Sequence, residues 1–467
     1  MMKVSDVVRF RSDLFFEGAV QLLWTDQNVN RANEAAGAFV FHGPRYHGVG
    51  KDTGTDEAYR LTDTATLAAD LVNRIVGDPE EHESGNPFSL AIAGYGSGKS
   101  HFAVALTQLL RHPHSELSER IIANLALADS ALADRAKLAV SAIEKPAFVV
   151  VLDGTGNFNL GNALSRAIYR SLKEGAIDDS VLRELSPRFE DAANFVKRNY
   201  NVRANEFKEH FGPEPLENIV AALDERDEQI YALVDQIYLV ANGAHIPLEG
   251  RESAQDLITT FCESYCGVNG AFSRLVIVFD EFGRFLEYVA ERPALAGDSA
   301  LQQIFQGVQD NAGCAHFVGF IQYELKAYLA RLGNRDAMHI QKYITRFDVA
   351  KKYYLSSNLE TIIAHLLEKT GLVKLEAAFG RKLLQSQKLH GLMAGLIPGF
   401  KQLPVWNDPV EFERVIVRGC WPLHPLATWF LTRQQDIVQS RSAITFVKNA
   451  IGASAGLHAV VDDRRSN

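Results

Sequence analysis

Short, unbroken apolar runs alternate with long stretches of helical period along this chain. Four runs stand out, each rich in β-branched or aromatic residues and each ending in polar or glycine residues. They are Phe88–Ala93 (FSLAIA), Ala147–Leu152 (AFVVVL), Leu275–Phe279 (LVIVF) and His316–Ile321 (HFVGFI), with a weaker fifth at Val349–Leu355. Runs that are apolar at every position suit strands covered on both faces, as in a parallel sheet flanked by helices. Between them the apolar residues recur at i, i+3, i+4 and i+7. Ile230, Leu233, Val234 and Ile237 do so, as do Ile258, Phe261, Cys262 and Tyr265, and later Leu359, Ile362, Ile363 and Leu366. Strands alternating with helices predict an α/β fold.

The spacing of the runs is uneven. Residues 153–274 far exceed an ordinary crossover and are helical in period, with polar breaks at Gly212-Pro213, Asp224–Glu228 and Gly243. They read as a helical insertion. No convincing strand follows Leu355, so 356–467 reads as a helical lid domain interrupted by the Pro/Gly-rich stretch Leu396–Pro409. Residues 1–85 form a mixed lead-in, with a glycine-rich loop at His42–Gly54 and a helical stretch at Asp63–Ile75, which leaves 86–355 as the core.

Composition narrows the class. With 47% apolar and 22% charged residues, the 467-residue chain has the make-up of an ordinary globular protein. Its net charge of −9 argues against bulk wrapping of nucleic acid. Four cysteines are too few for a disulfide scaffold and fit a reducing, cytoplasmic setting. No signal-peptide pattern opens the chain, and no run reaches membrane-spanning length, so no membrane partner is expected.

The candidate chemistry begins at Ala93-Gly94-Tyr95-Gly96-Ser97-Gly98-Lys99-Ser100. This is a phosphate-binding loop (Walker A) with Ala in place of the first glycine, preceded by an apolar strand and followed by the helix-forming run His101–Arg111. Backbone N–H groups must curl around phosphate oxygens, which favours glycine at 94, 96 and 98. The loop opens on a helix N-terminus, whose free N–H groups attract the anion. Gly94 to His101 are therefore the expected nucleotide contacts. Lys99 would neutralise the β- and γ-phosphates of ATP, and Ser100 would ligate Mg2+. A dinucleotide fingerprint would need glycine where Lys99 stands.

Asp280-Glu281 ends the run Leu275–Phe279. Two acids there suit a Walker B pair, Asp280 holding the magnesium shell and Glu281 activating the attacking water. The plain alternative is a solvated acidic turn, which the upstream loop disfavours. An Asp-Glu pair also points to the ATPase branch with an extra strand between loop and acid, and Ala147–Leu152 is expected to supply it. Gln322, after the fourth run, is placed to touch the γ-phosphate or the water. Arg331–Lys352 is rich in Lys and Arg, and Arg346 just before the fifth run stands where ring-forming ATPases commonly offer an arginine finger. Cys262 and Cys266, with no second Cys/His pair nearby, read as core cysteines, and His424 in WPLHP as a turn residue.

GYGSGKSHF at 94–102 and VFDEFGRFLE at 278–287 resemble the AAA+-type ATPases of bacterial anti-phage systems, such as the large ATPase of BREX loci. RGCWPLHPLATWF at 418–430 and QSRSAITF at 439–446 are similar to the helical-lid signatures of that group. The resemblance implies an ASCE/AAA+-like P-loop NTPase sheet with a helical lid, ATP hydrolysis in a homo-oligomer, and Arg441 as a second sensor near the phosphates. It also implies effector or other defence-system proteins as partners, for an enzyme that powers or gates a defence complex. A nucleotide-gated switch of the STAND kind and a DNA-translocating motor are the alternatives. Members of the group are usually longer, so this chain is expected to be a compact relative or to lack an effector portion.

Overall fold

Each of the apolar runs is a strand in the computed structural model, which describes residues 7–43, 61–77, 86–94, 97–247, 252–325, 327–328, 341, 345–355, 359–370, 386–397, 399–400, 403–433 and 440–452. In chain order the strands are β1 (Val8–Phe10), β2 (Leu61–Thr62), β3 (Phe88–Ile92), β4 (Phe148–Asp153), β5 (Leu275–Asp280), β6 (Ala315–Ile321), β7 (Lys351–Leu355) and β8 (Leu367–Lys369). Every residue of β3, β5 and β6 is buried, as continuous apolar runs require. Six strands form a mostly parallel, helix-flanked sheet of order β2-β7-β3-β6-β5-β4, so the fold is α/β.

The order corrects one expectation. The strand between β3 and β5 is β6, not the run Ala147–Leu152, which forms β4 at the edge of the sheet. The edge run AFVVVL is apolar at every position, whereas the central run HFVGFI carries His316 and Gly319, so apolar content does not mark the centre. Glycine does: a Cβ on Gly319 of β6 would lie 2.8 Å from the Leu90 side chain of β3. A second difference is β8, which pairs antiparallel with β1 in the register Val8↔Lys369, Arg9↔Glu368, Phe10↔Leu367. Three-residue strands are too short to show a period.

The chain divides into two compact units, one of residues 1–76, 91–142 and 352–467 and the other of 77–90 and 143–351. In the first, helix Lys99–Arg111 packs on helix Val29–Gly37, and helix Thr64–Val76 packs on Ser130–Ser141. Arg111 ties the first pair to the lead-in through Asp26 at 2.7 Å. Helices at Leu359–Leu366, Ser386–Leu396, Pro425–Arg433 and Ser440–Gly452 occupy the C-terminal part of this unit. The buried carboxylate of Glu360 there accepts from Trp406 Nε1 at 2.8 Å and Thr432 Oγ1 at 3.1 Å, and pairs with Arg433 at 3.0 Å. His424 accepts from the Leu426 N–H through Nδ1 at 3.2 Å, so it caps helix Pro425–Arg433.

In the second unit, the described residues of 153–274 hold seven helices from Leu160–Glu174 to Ala254–Tyr265. They carry their own core of Phe189, Val196, Phe207, Leu223, Val234 and Ile237. Helix Ala254–Tyr265 returns the chain to the sheet, its face of Ile258, Phe261, Cys262 and Tyr265 buried as the period predicts. It lies against helix Asp298–Asp310, where a Cβ on Gly307 would come within 3.1 Å of Ile258. No helix among the described residues is long and apolar enough to cross a membrane.

Candidate active site

The candidate phosphate loop lies in the first unit. β3 ends at Ile92, and Gly98 adopts φ +84°, a left-handed conformation that a side chain would strain, to open helix Lys99–Arg111. The Lys99 side chain is buried, and its Nζ donates to the carbonyls of Ala93 at 2.8 Å and Gly94 at 3.0 Å. Ser97 Oγ donates to the same Gly94 oxygen at 2.9 Å. The ammonium is thus held by the carbonyls of Ala93 and Gly94, at the start of a helix whose first N–H groups favour an anion. Ser100 is half-buried on the first turn. His101 meets the Ala35 carbonyl through Nε2 at 2.6 Å and sits edge-on to Phe39 at 5.0 Å, so its ring is engaged by these contacts. Tyr95 and Gly96 lie outside the described residues.

The acids lie in the second unit. Asp280 ends the wholly buried β5 and is itself 2% exposed. Glu281 follows in the left-handed region at φ +51°, unusual for a residue with a side chain, and its N–H donates to Asp280 Oδ1 at 2.9 Å. Gln322 follows β6, the strand paired with β5, and its Nε2 donates to Glu281 Oε2 at 2.8 Å. That bond fixes one carboxylate oxygen and leaves the amide oxygen of Gln322 alongside.

Four residues that the sequence did not single out build this end. Asp153 is the register partner of Asp280, which sets two acids side by side, and it accepts from Thr155 N–H at 2.8 Å. Gly154 donates to the Asp280 carbonyl at 2.9 Å, and a Cβ there would meet the Glu281 carbonyl oxygen at 2.2 Å. Tyr328 Oη accepts from the Gln322 N–H at 3.2 Å, and burial raises the phenol above its ordinary pKa. A Cβ on Gly283 would come 2.0 Å from that hydroxyl, so glycine admits the tyrosine. Asp153-Gly154 at the end of an apolar run carries a readable signal; Tyr328 has none.

Arg346 is half-buried, with its guanidinium 5.9 Å from the Phe305 ring, while its neighbour Phe347 is buried against Phe88, Phe282 and Phe317. Most of the Arg331–Lys352 strip lies outside the described residues, as does the side chain of Arg441 on helix Ser440–Gly452.

The cysteines differ from expectation. Cys262 is buried in the core, but Cys266 is half-buried, and Cys314, the turn residue just before β6, joins both, the three sulfurs lying within 4.8 Å of one another. Hydrogen bonding from Cys262 and Cys266 holds the Cys314 thiol well below its ordinary pKa.

No protein-family model matches the sequence, and no curated protein is similar to it.

Proposed function

We propose that this chain is a Mg2+-dependent ATPase of the P-loop, AAA+-like kind, acting as a homo-oligomer that powers or gates an anti-phage defence complex. The observation that carries the reading is the hydrogen bond from Gln322 to Glu281 at the carboxyl ends of paired strands. It sets a carboxylate and a carboxamide together where open α/β sheets place their ligands. The strand order supports the same reading, because β6 stands between the phosphate-loop strand and the acidic strand.

Magnesium would supply charge neutralisation at the β- and γ-oxygens, with Ser100 and Asp280 as its residues. Lys99 exchanges loop carbonyls for phosphate oxygens; its three donors allow the switch without deprotonation. Glu281 accepts the proton of the attacking water as the oxygen–phosphorus bond to ADP breaks. Gln322 holds Glu281 by one oxygen, which leaves the other for the water. Arg346 of a neighbouring subunit completes the charge stabilisation, and Arg441 serves as second sensor. Partner proteins receive the change between ATP- and ADP-bound states.

The test is turnover. Glu281→Gln retains ATP binding and loses about 10²–10⁴-fold in rate, the range of a general base. Lys99→Ala loses binding itself. Mixing Arg346→Ala with Glu281→Gln subunits restores part of the activity if the site is shared between subunits. Wild-type turnover in Glu281→Gln overturns the assignment of the base, and wild-type chain inert towards Mg-ATP overturns the function.

A further inference from the structure

We propose that Cys262, Cys266 and Cys314 form a thiolate site for a zinc-type divalent ion, at the amino ends of β5 and β6. This site is independent of the nucleotide reading. Three of the chain's four cysteines meet here, with sulfurs within 4.8 Å of one another. A tetrahedral zinc–thiolate site with bonds of about 2.3 Å sets its sulfurs about 3.8 Å apart. Closing the cluster onto an ion therefore takes side-chain adjustments of about 1 Å. The donor set is sulfur alone, which selects thiophilic ions over magnesium or calcium.

The backbone holds the three residues in place before any ion arrives. Cys262 lies in the last turn of helix Ala254–Tyr265, and Cys266 leaves that helix in extended conformation at φ −109°, ψ 163°. The turn behind it is closed by Gly267 N–H to the Phe272 carbonyl at 3.0 Å. Lys145 Nζ donates to the Val268 and Gly270 carbonyls, each at 2.6 Å. Cys314 is fixed on both sides: its N–H donates to the Asn311 carbonyl at 2.8 Å, and its carbonyl accepts from Leu275 N–H at 2.9 Å.

Charge and access also fit. A divalent ion on three thiolates leaves one net negative charge, and those thiols still protonated release their protons to solvent on binding. Arg274 stands beside the cluster to balance that charge. Its guanidinium is anchored to the Gly313 carbonyl at 3.1 Å and the Gly77 carbonyl at 3.0 Å, and it acts electrostatically on Cys266 and Cys314. Cys262 is buried, whereas Cys266 and Cys314 are half-buried, which gives an ion an entry side and leaves a fourth position for water. The ion would fasten the end of the 153–274 insertion to the start of β6. The fourth cysteine, Cys420, is fully buried elsewhere with its Sγ on the Glu360 carbonyl at 3.3 Å, and serves as the control.

The experiment uses the full, reduced chain titrated with Co2+ and then Zn2+. The expected result is a thiolate-to-cobalt charge-transfer band that saturates at one ion per chain and is displaced by Zn2+, with a rise in the melting temperature. Cys262→Ala, Cys266→Ser and Cys314→Ser each weaken binding by about tenfold or more, by analogy with the loss from removing outer-shell partners alone. Cys420→Ala keeps the band. Absence of the band in reduced wild-type chain overturns the proposal without recourse to any variant. So does a band unchanged in all three variants, or a disulfide among these cysteines, found by mass, in place of ion binding.

Discussion

At one end of β5 and β6 a carboxylate, a carboxamide and a left-handed backbone meet; at the other, three sulfurs gather on unstrained chain. Among the described residues, Glu281 is one of three non-glycine residues with positive φ, and it is the one that carries an acid of the candidate site. Such a conformation costs about 1–3 kcal/mol and persists only where its surroundings impose it. Here Gly154 and the Asp280 carboxylate do so. At the amino ends, Cys266 is extended and the single left-handed turn residue is Gly267, which bears no such cost. The carboxyl end stores strain around a charged group, as a site that must place a water does. The amino end invests in hydrogen-bonded turns, as a fastening does.

Matched glycine substitutions break the comparison most forcefully. Gly154→Ala brings a Cβ to 2.2 Å from the Glu281 carbonyl oxygen, and Gly270→Ala brings one to 2.2 Å from that of Tyr265. Both clashes are with backbone, so both variants should lose about 1–3 kcal/mol in urea denaturation. Only Gly154→Ala should lose ATP turnover per folded molecule. Equal loss of turnover from the two would show that the ends are not functionally distinct.

Smaller changes sharpen it. Gln322→Ala removes a hydrogen bond to an ionised group, worth about 1.5–3 kcal/mol, and should slow turnover at least about tenfold with ATP affinity kept. Steady-state rates alongside direct binding separate the two. Cys262→Ala, measured without added metal, removes only a buried sulfur and should cost about 1 kcal/mol with turnover unchanged. A turnover defect there would couple the two ends.

The same contrast explains what was legible in the sequence. Lys99, Asp280 and Glu281 sit in contiguous strand–turn–helix segments, and the proposed phosphate loop and acidic strand end are each read from consecutive residues. Gln322 was visible as the polar residue ending an apolar run. The cysteine cluster was not, because Cys314 reaches Cys262 and Cys266 only through the pairing of β5 with β6. The central place of β6 was hidden for a related reason: neighbours in a parallel sheet are set by crossovers, and the edge strand β4 is the more uniformly apolar of the two. β1 and β8 are too short for any period to show.

Tyr328 sets the smallest step at the acidic end, and no motif marks it. Its ring is buried, its hydroxyl accepts from the Gln322 N–H at 3.2 Å, and Gly283 leaves the room it occupies. Tyr328→Phe keeps the packing and takes away that acceptor. A half-buried N–H deprived of its partner costs about 1 kcal/mol, which denaturation would register. The ring still positions the turn that carries Gln322, so turnover should fall less than in Gln322→Ala. The variant should also fail to rescue Gly283→Ala, because the added Cβ would meet the ring carbon Cζ at 2.2 Å as well as the hydroxyl. Rescue would mean that the hydroxyl alone, and not the ring, is what Gly283 makes room for.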